Sequence, residues 1–189
     1  MDELERIAAD AAGGDPLAAA ALVRATQPDV WRLCAALGDR GSADDLTQET
    51  YLRAFGSLHR FEGRSSVRTW LLTIARRVCA DAVRSRRRRL IGLVRDDADL
   101  ETFLHRDRAP ADDVAEGAAV ADLLARLDPD RREAFVLTQL LGLPYAEAAE
   151  VAGCPVGTIR SRVARARADL IGSLAGVKED DGRSDAAHA

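Results

Sequence analysis

Residues 144–170 read PYAEAAEVAGCPVGTIRSRVARARADL, and this stretch decides the fold prediction. Its second half carries apolar residues at spacings of four, three and four, namely Ile159, Val163, Ala166 and Leu170. Such spacing predicts a helix with a narrow apolar stripe that faces a core. Thr158 is a candidate N-cap, and the preceding Gly-Cys-Pro is expected to end the helix before it. The pattern therefore predicts two helices joined by a tight turn.

Small residues lie where these two helices must cross, and Gly153 supplies the sharp turn. This arrangement is typical of a helix-turn-helix, whose second helix enters the DNA major groove with its first residues foremost. The candidates for contact with bases and flanking phosphates are Thr158, Arg160, Ser161, Ala164 and Arg165. Arg162 and Arg167 are better candidates for phosphate contact. A solvated basic face on an ordinary helical hairpin is the alternative.

The composition describes a soluble helical chain of 189 residues with 47% hydrophobic and 31% charged residues. Ala, Leu, Arg and Asp recur at helical spacing, which predicts an all-α fold of two small helical domains. No apolar run approaches the length that spans a bilayer, and the amino-terminal sequence MDELERIAAD is acidic. We therefore expect a cytoplasmic protein with no membrane insertion.

The residues that usually carry catalysis or bind metal are scattered. Cys34, Cys79 and Cys154 form no CxxC pair and have no histidine cluster near them in the sequence. The sequence has no Gly-rich phosphate loop and no recognisable nucleophile and base. We expect no catalytic residue, no metal site and no cofactor, and hence not an enzyme.

Charge is sorted along the chain, although the formal net charge is −4. Eleven arginines lie between Arg60 and Arg95, against only Glu62 and Asp81. The balance reverses from Asp96 onward, where acidic residues dominate. Because nucleic acid responds to a local basic patch, the acidic average does not argue against DNA binding.

The chain divides by composition into four parts. Residues 1–90 are predicted to form the first domain and residues 112–175 the second, with a flexible linker at 91–111 that leaves their separation unfixed. The first helical block is expected to begin at about Pro16. Residues 176–189 are small and polar, and we expect a disordered tail.

A second candidate surface lies in the helix predicted after Ser42, which with Asp45 gives a start like a capping box. Four residues line one face of this helix, namely Asp45, Gln48, Glu49 and Leu52. Another four turn toward the core, namely Leu46, Thr50, Ala54 and Leu58. Acids around an outward leucine favour a surface that binds a basic protein, and a merely solvated face is the alternative.

Three stretches carry a resemblance to a known family. They are SADDLTQETYLRAF from Ser42, RSSVRTWLLTIARRVCAD from Arg64 and LGLPYAEAAEVAGCPVGTIRSRVARARADL from Leu141. In this order and spacing they resemble the sigma-70 family, specifically its small extracytoplasmic-function group and, within it, the actinobacterial sigma factor C type. Members of this group carry region 2 and region 4 alone, joined by a linker.

The resemblance implies roles for both candidate surfaces. Region 2 of the family docks on the clamp helices of the β′ subunit of core RNA polymerase, and region 4 meets the β flap. The residues that match the polymerase-binding face are Asp44, Asp45, Gln48, Glu49 and Leu52. Region 4 reads the minus-35 element of promoter DNA with its helix-turn-helix, so the arginines at 160–167 are expected to face promoter DNA.

The family also implies a minus-10 site in region 2, where a base is flipped into a loop pocket. The matching residues are Arg53, Ser57, Phe61, Arg64 and Arg77. Trp70 lies on the apolar stripe of its helix and is expected to be a core ring. Family members are commonly restrained by an anti-sigma factor, which is a further partner that the resemblance implies.

The predicted function is that of a sigma factor, which binds core polymerase, directs it to the minus-35 and minus-10 elements and stabilises the opened strand. A stand-alone helix-turn-helix repressor or activator is the first alternative. It leaves the acidic face after Ser42 and the second basic region unexplained. A hydrolase or transferase is the second alternative, and it would need a cavity with perturbed titrating groups.

Overall fold

The computed structural model describes residues 2–38, 40–95 and 115–184, and these residues form helices and turns with no β-strand among them. The predicted all-α fold is confirmed. The helices are α1 (Glu3–Ala12), α2 (Pro16–Leu37), α3 (Ala43–Ser57), α4 (Val67–Arg95), α5 (Ala115–Ala125), α6 (Pro129–Phe135), α7 (Tyr145–Ala152) and α8 (Val156–Ser184). Short 3-10 turns occupy Arg40–Ser42 and Leu58–Arg60, and a π-helical turn occupies Val136–Leu140.

Helix α1 was not predicted as an element of its own, since the first helical block was expected to begin at Pro16. Its start is a capping box, in which the Asp2 side chain accepts from the helix amides and the Glu5 side chain accepts from the Asp2 amide. The capping pattern D-x-x-E was the available sequence signal. Asp15 then caps α2 by accepting from the amides of Leu17 and Ala18 at 2.8 and 3.3 Å.

Helix α3 places its two faces as predicted. The four residues expected in the core are buried, namely Leu46, Thr50, Ala54 and Leu58. The start of the helix differs, because Ser42 closes a 3-10 turn and its side chain makes no capping hydrogen bond. The capping box expected from Ser42 and Asp45 is therefore wrong.

At the start of helix α4 the Ser66 hydroxyl accepts from the Thr69 amide at 3.1 Å. Its buried stripe includes Val67, Leu71 and Val78. The helix continues to Arg95, so residues 91–95 are helical where the linker was expected. These residues include no proline, and extension of an existing helix is cheap compared with nucleation. The rest of the predicted linker, 96–111, lies outside the described residues.

The predicted helix-turn-helix is present as α7 and α8. Gly153 adopts the left-handed conformation at φ 65°, ψ 38° and ends α7. Ala148 and Ala152 are buried at the crossing, as are Ile159, Val163 and Ala166 on the stripe of α8. Helix α8 begins at Val156, so Thr158 lies within its first turn rather than at the cap that the sequence predicted.

Helix α8 also extends further than expected, to Ser184, where a disordered tail was predicted from residue 176. The segment contains no proline, so no residue in it forces the helix to end. Residues 185–189 lie outside the described residues. The π-helical turn before α7 was not predicted either, because hydrophobic periodicity does not distinguish one wide turn from an α-helical one.

The two halves of the chain contact each other, although the sequence suggested that their separation was unfixed. Arg68 of α4 donates to the carbonyl of Leu141 at 2.6 Å, and Thr69 donates to a carboxylate oxygen of Glu147 in α7 at 2.8 Å. Further along α4, Arg76 forms an ion pair with Glu133 of α6. These contacts fasten the helix-turn-helix half against the long helix of the first half.

Candidate protein and nucleic-acid interfaces

The outer face of α3 brings the predicted protein-binding residues together. Asp45, Gln48 and Leu52 are exposed on it, and Glu49 is half-buried. Leu52 leaves 62% of its surface in solvent. Because apolar surface in water costs free energy, this position favours contact with a partner.

A shallow groove of about 360 Å³ runs beside Leu52, between α2 and α3. Val23 and Gln27 of α2 line one side, and Tyr51, Leu52 and Phe55 of α3 line the other. Phe55 is itself exposed and lies 6.2 Å from the Tyr51 ring, centroid to centroid. Val23 and Phe55 were not predicted as part of this surface, although Phe55 follows Leu52 by three residues and so shares its side of the helix.

Two of the predicted carboxylates on α3 already have partners. The indole N–H of Trp31 donates to Asp44 at 2.8 Å, which holds that carboxylate at the rim of the groove. Glu49 accepts from the Nε of Arg53 at 2.7 Å. Of the five candidates, Asp45, Gln48 and Leu52 have no side-chain hydrogen bond within the described residues, so their substitution disturbs the fewest contacts.

Arg53, a predicted minus-10 residue, bridges α3 and α4. In addition to Glu49 it donates to Asp81 at 2.9 Å. Arg53 and then Arg84 lower the pKa of the Asp81 carboxyl, which stays ionised between two guanidinium groups. Arg77 lies one turn before Asp81 on α4 and is exposed. The structure thus brings Arg53 and Arg77 to neighbouring helices, with Arg53 engaged in ion pairs.

The remaining minus-10 candidates lie at and after the end of α3. The Ser57 hydroxyl donates to the carbonyl of Arg53 at 2.8 Å. Phe61 is half-buried against Trp70, with 5.1 Å between ring centroids. Trp70 packs against the core, as expected from its place on the apolar stripe. Arg64 is exposed and pairs with Glu62 at 3.2 Å.

Helix α8 presents an outer face of exposed residues, namely Arg160, Ser161, Ala164, Arg165 and Arg167, with Thr158 half-buried beside them. The arginines of this helix differ in their contacts. Arg162 forms an ion pair with Asp130 and also donates to the Cys154 sulfur at 3.6 Å. Arg167 donates to the amide oxygen of Gln139 at 2.7 Å. Neither Asp130 nor Gln139 was foreseen as a partner.

Arg160 and Arg165 differ from these two arginines. Within the part of the chain that the structure describes, neither makes an ion pair or a hydrogen bond through its guanidinium group. Arg160 instead lies over the ring of Tyr145. An arginine with free N–H donors can form the bidentate contacts that guanine edges accept in the major groove. In Arg162 the carboxylate of Asp130 engages one N–H donor and opposes the approach of a phosphate by its charge.

The described residues contain no helix that combines the length and apolarity needed to cross a bilayer. Across the same residues, no group of three or more histidine, cysteine, aspartate or glutamate side chains is placed to hold a metal ion.

Comparison with known families decides between the alternatives. The profile described as Sigma-70 region 2 matches residues 22–89, and the profile described as Sigma-70, region 4 matches residues 117–170. The chain belongs to the sigma-70 family. This sigma factor is 54% identical to the ECF RNA polymerase sigma factor SigC of Mycobacterium tuberculosis over 93% of its own length and 91% of that protein. It is also 38% identical to the ECF RNA polymerase sigma factor EcfG of Rhodopseudomonas palustris, over 70% and 71% of the two chains.

Solved structures agree with this placement. The sigma factor superimposes on CnrH, solved with the cytosolic domain of CnrY, with a TM-score of 0.71, 29% identity and coverage of 93% of this chain and 99% of that one. It superimposes on RpoE of Bartonella quintana, solved with the anti-sigma factor NepR, with a TM-score of 0.67, 28% identity and coverage of 80% and 93%. The protein is thus an RNA polymerase sigma factor of the ECF group that acts in transcription initiation, and nothing in the matches supports a stand-alone regulator.

Proposed function

We propose that this sigma factor binds core RNA polymerase through the outer face of α3 and the groove beside it, and directs the enzyme to promoters. Helix α8 reads the minus-35 element, and the end of α3 with α4 contacts the minus-10 element. The protein acts in the cytoplasm as a specificity subunit and catalyses no reaction itself.

The exposure of Leu52 carries the polymerase-binding part of the proposal. Full burial of a leucine side chain contributes about 1.5–3 kcal/mol. With 62% of the surface of Leu52 in solvent, its burial by a partner contributes about 1–2 kcal/mol, or roughly 5- to 30-fold in affinity. Asp44 and Asp45 beside it favour a partner surface with basic residues around an apolar contact, as a helical segment of polymerase can offer.

The test measures the affinity of the full chain for core RNA polymerase. Leu52→Glu and Asp45→Lys are expected to weaken binding, while the helical content by circular dichroism stays unchanged because both side chains are exposed. Asp10→Lys on α1 is the matched control, since Asp10 is an exposed carboxylate that does not line the groove. Equal affinities for wild type, Leu52→Glu and Asp45→Lys would refute this interface.

The proposal assigns promoter contacts to the two basic surfaces. On α8, Arg160 and Arg165 read bases with Thr158, Ser161 and Ala164 beside them, and Arg162 and Arg167 contact phosphates. In the first half, the proposed minus-10 residues are Arg53, Ser57, Phe61, Arg64 and Arg77. The free donors of Arg160 and Arg165 support this division on α8.

An anti-sigma factor is a further proposed partner, because RpoE of Bartonella quintana was solved in complex with one. In this proposal the anti-sigma factor competes with core polymerase. The experiment that tests it is co-purification of the full chain from its own cells, followed by competition of the captured protein with core RNA polymerase.

A further inference from the structure

Tyr145 and Arg160 form a contact between the two helices of the helix-turn-helix. The guanidinium carbon of Arg160 lies 6.0 Å from the centroid of the Tyr145 ring. A cation over the face of an aromatic ring is attracted by the negative potential of that face. Tyr145 is the first residue of α7 and Arg160 lies in the second turn of α8, so the contact crosses the turn at Gly153.

The ring is held more firmly than the arginine. Tyr145 is half-buried and packs against the hydrophobic core, and it follows Pro144, whose φ is restricted by its own ring. Arg160 is exposed, and an arginine side chain in solvent samples many rotamers. The contact therefore orients the arginine, and the tyrosine is the anchored member of the pair.

We infer that Tyr145 is a positioning residue for base reading, which holds the guanidinium group of Arg160 in place before DNA binds. This inference rests on the proposed role of Arg160 in reading the minus-35 element. A contact through the ring face leaves the N–H donors of the guanidinium free for the two acceptors on a guanine edge. Holding the side chain in advance lowers the ordering cost that binding otherwise adds.

The other arginines of α8 give an internal comparison. Arg162 and Arg167 are held by hydrogen bonds from their N–H groups to Asp130 and Gln139, and each bond engages a donor of the guanidinium group. Arg160 instead lies against the face of the Tyr145 ring. Of these three arginines, Arg160 is therefore the one that is oriented without engaging an N–H donor.

The test uses the full chain assembled with core RNA polymerase and a library of promoter duplexes. In this library each position of the minus-35 element is randomised in turn. Sequencing of bound and unbound duplexes gives the base preference at each position. The position read by Arg160 is the one where Arg160→Ala abolishes the preference, and Arg165→Ala marks a second position in the same way. If neither variant alters any preference, the proposed role of α8 fails, and this outcome is separate from the tests of Tyr145.

Tyr145→Leu is expected to reduce the preference at the Arg160 position on the order of two- to fivefold, the range that corresponds to an exposed contact between a cation and a ring. The preference at the Arg165 position is expected to stay unchanged. Tyr145→Phe keeps the ring and is expected to behave as wild type. In the Arg160→Ala background, Tyr145→Leu is expected to have no further effect on specificity.

Three results would overturn the inference. The first is an unchanged preference in Tyr145→Leu. The second is an equal loss at every position, which would indicate a structural role for Tyr145. The third is an equal loss in Tyr145→Phe, which would assign the effect to the hydroxyl, for example through a phosphate. If Tyr145→Leu does not fold, Tyr145→Met fills a similar volume without a ring face and is expected to give the same selective loss.

Discussion

The ion pair between Arg76 of α4 and Glu133 of α6 joins the two halves of the sigma factor, and its removal gives a quantitative prediction. The Glu133 side chain leaves only 8% of its surface in solvent, whereas Arg76 leaves 34%. Burial raises the pKa of Glu133 and outweighs the opposite effect of Arg76. Asp130 raises it further, and Arg162 lowers it. In Arg76→Met the buried carboxylate loses its main partner.

The cost follows from the burial of Glu133. Leaving a buried polar group unsatisfied costs about 1–3 kcal/mol, and the two halves can avoid this cost by separating, which returns the carboxylate to water. The equilibrium between docked and separated halves is therefore expected to shift roughly 5- to 150-fold toward separation. The radius of gyration from small-angle X-ray scattering at neutral pH reports the change. It is expected to be larger for Arg76→Met than for wild type.

Neutralising the carboxylate should reverse the effect. The double variant Arg76→Met with Glu133→Gln is expected to be more compact than Arg76→Met alone, since the buried group is no longer charged. Lowering the pH acts in the same direction. A carboxyl whose pKa is raised by docking binds more protons in the docked state, so docking is favoured as the pH falls through that raised pKa toward 4.5.

Arg77→Met is the matched control, because Arg77 is the neighbouring arginine on α4 and is exposed. It is expected to keep the compactness of wild type. The reasoning would be refuted if Arg76→Met had the same radius of gyration and the same thermal stability as Arg77→Met. It would equally be refuted if Glu133→Gln failed to reverse the expansion.

Three further predictions concern substitutions of single residues. Arg165→Ala is expected to alter base preference in the minus-35 element by about 1–3 kcal/mol, whereas Arg167→Ala is expected to weaken holoenzyme binding to all sequences alike. Affinities for matched and mismatched duplexes, measured across a salt series, separate the two effects. Tyr51→Phe is expected to cost about 0.5–1.5 kcal/mol at neutral pH, because it removes the 2.7 Å hydrogen bond to the Thr26 hydroxyl. Burial raises the pKa of Tyr51 above its ordinary value of 10.0, so wild-type stability should fall as the pH rises above 10 and Tyr51→Phe should lack this part of the fall; urea unfolding at several pH values checks both. Gly153→Ala is expected to cost about 1–2 kcal/mol in thermal unfolding, a backbone cost alone because a Cβ at that position meets no atom within 4 Å.

The helices and their buried faces could be predicted because they follow from local spacing. The stripe of Ile159, Val163 and Ala166 and the inward face of α3 are set by residues within a few turns of one another. Helix ends were less predictable. Both α4 and α8 continue past their expected ends, since a polar run without proline lowers the apolar periodicity but does not stop a helix.

The site was predictable as a set of faces, but the partners of its side chains were not. Periodicity places Arg53 near the acidic face of α3, yet it gives no sign of Asp81, which lies 28 residues away on another helix. The docking of α7 on α4 is of the same kind, because the contact between Thr69 and Glu147 joins residues 78 positions apart. Contacts at such separations depend on how helices pack, and spacing within one helix carries no information about them.

Contacts between distant residues also decide which arginines of α8 are available to read bases, so a count of arginines overstates their number. Spacing separates Arg162 and Arg167 from Arg160 and Arg165 as phosphate candidates. It does not indicate that Arg162 pairs with Asp130, 32 residues away, or that Arg167 bonds to Gln139, 28 residues away. Each of these contacts engages an N–H donor, and Asp130 places a negative charge where a phosphate would approach, so these two arginines are expected to gain less free energy on meeting DNA. Arg160 and Arg165 have no such competing contact. Specificity on this helix is therefore expected to concentrate at the two positions they face, with Arg162 and Arg167 adding charge.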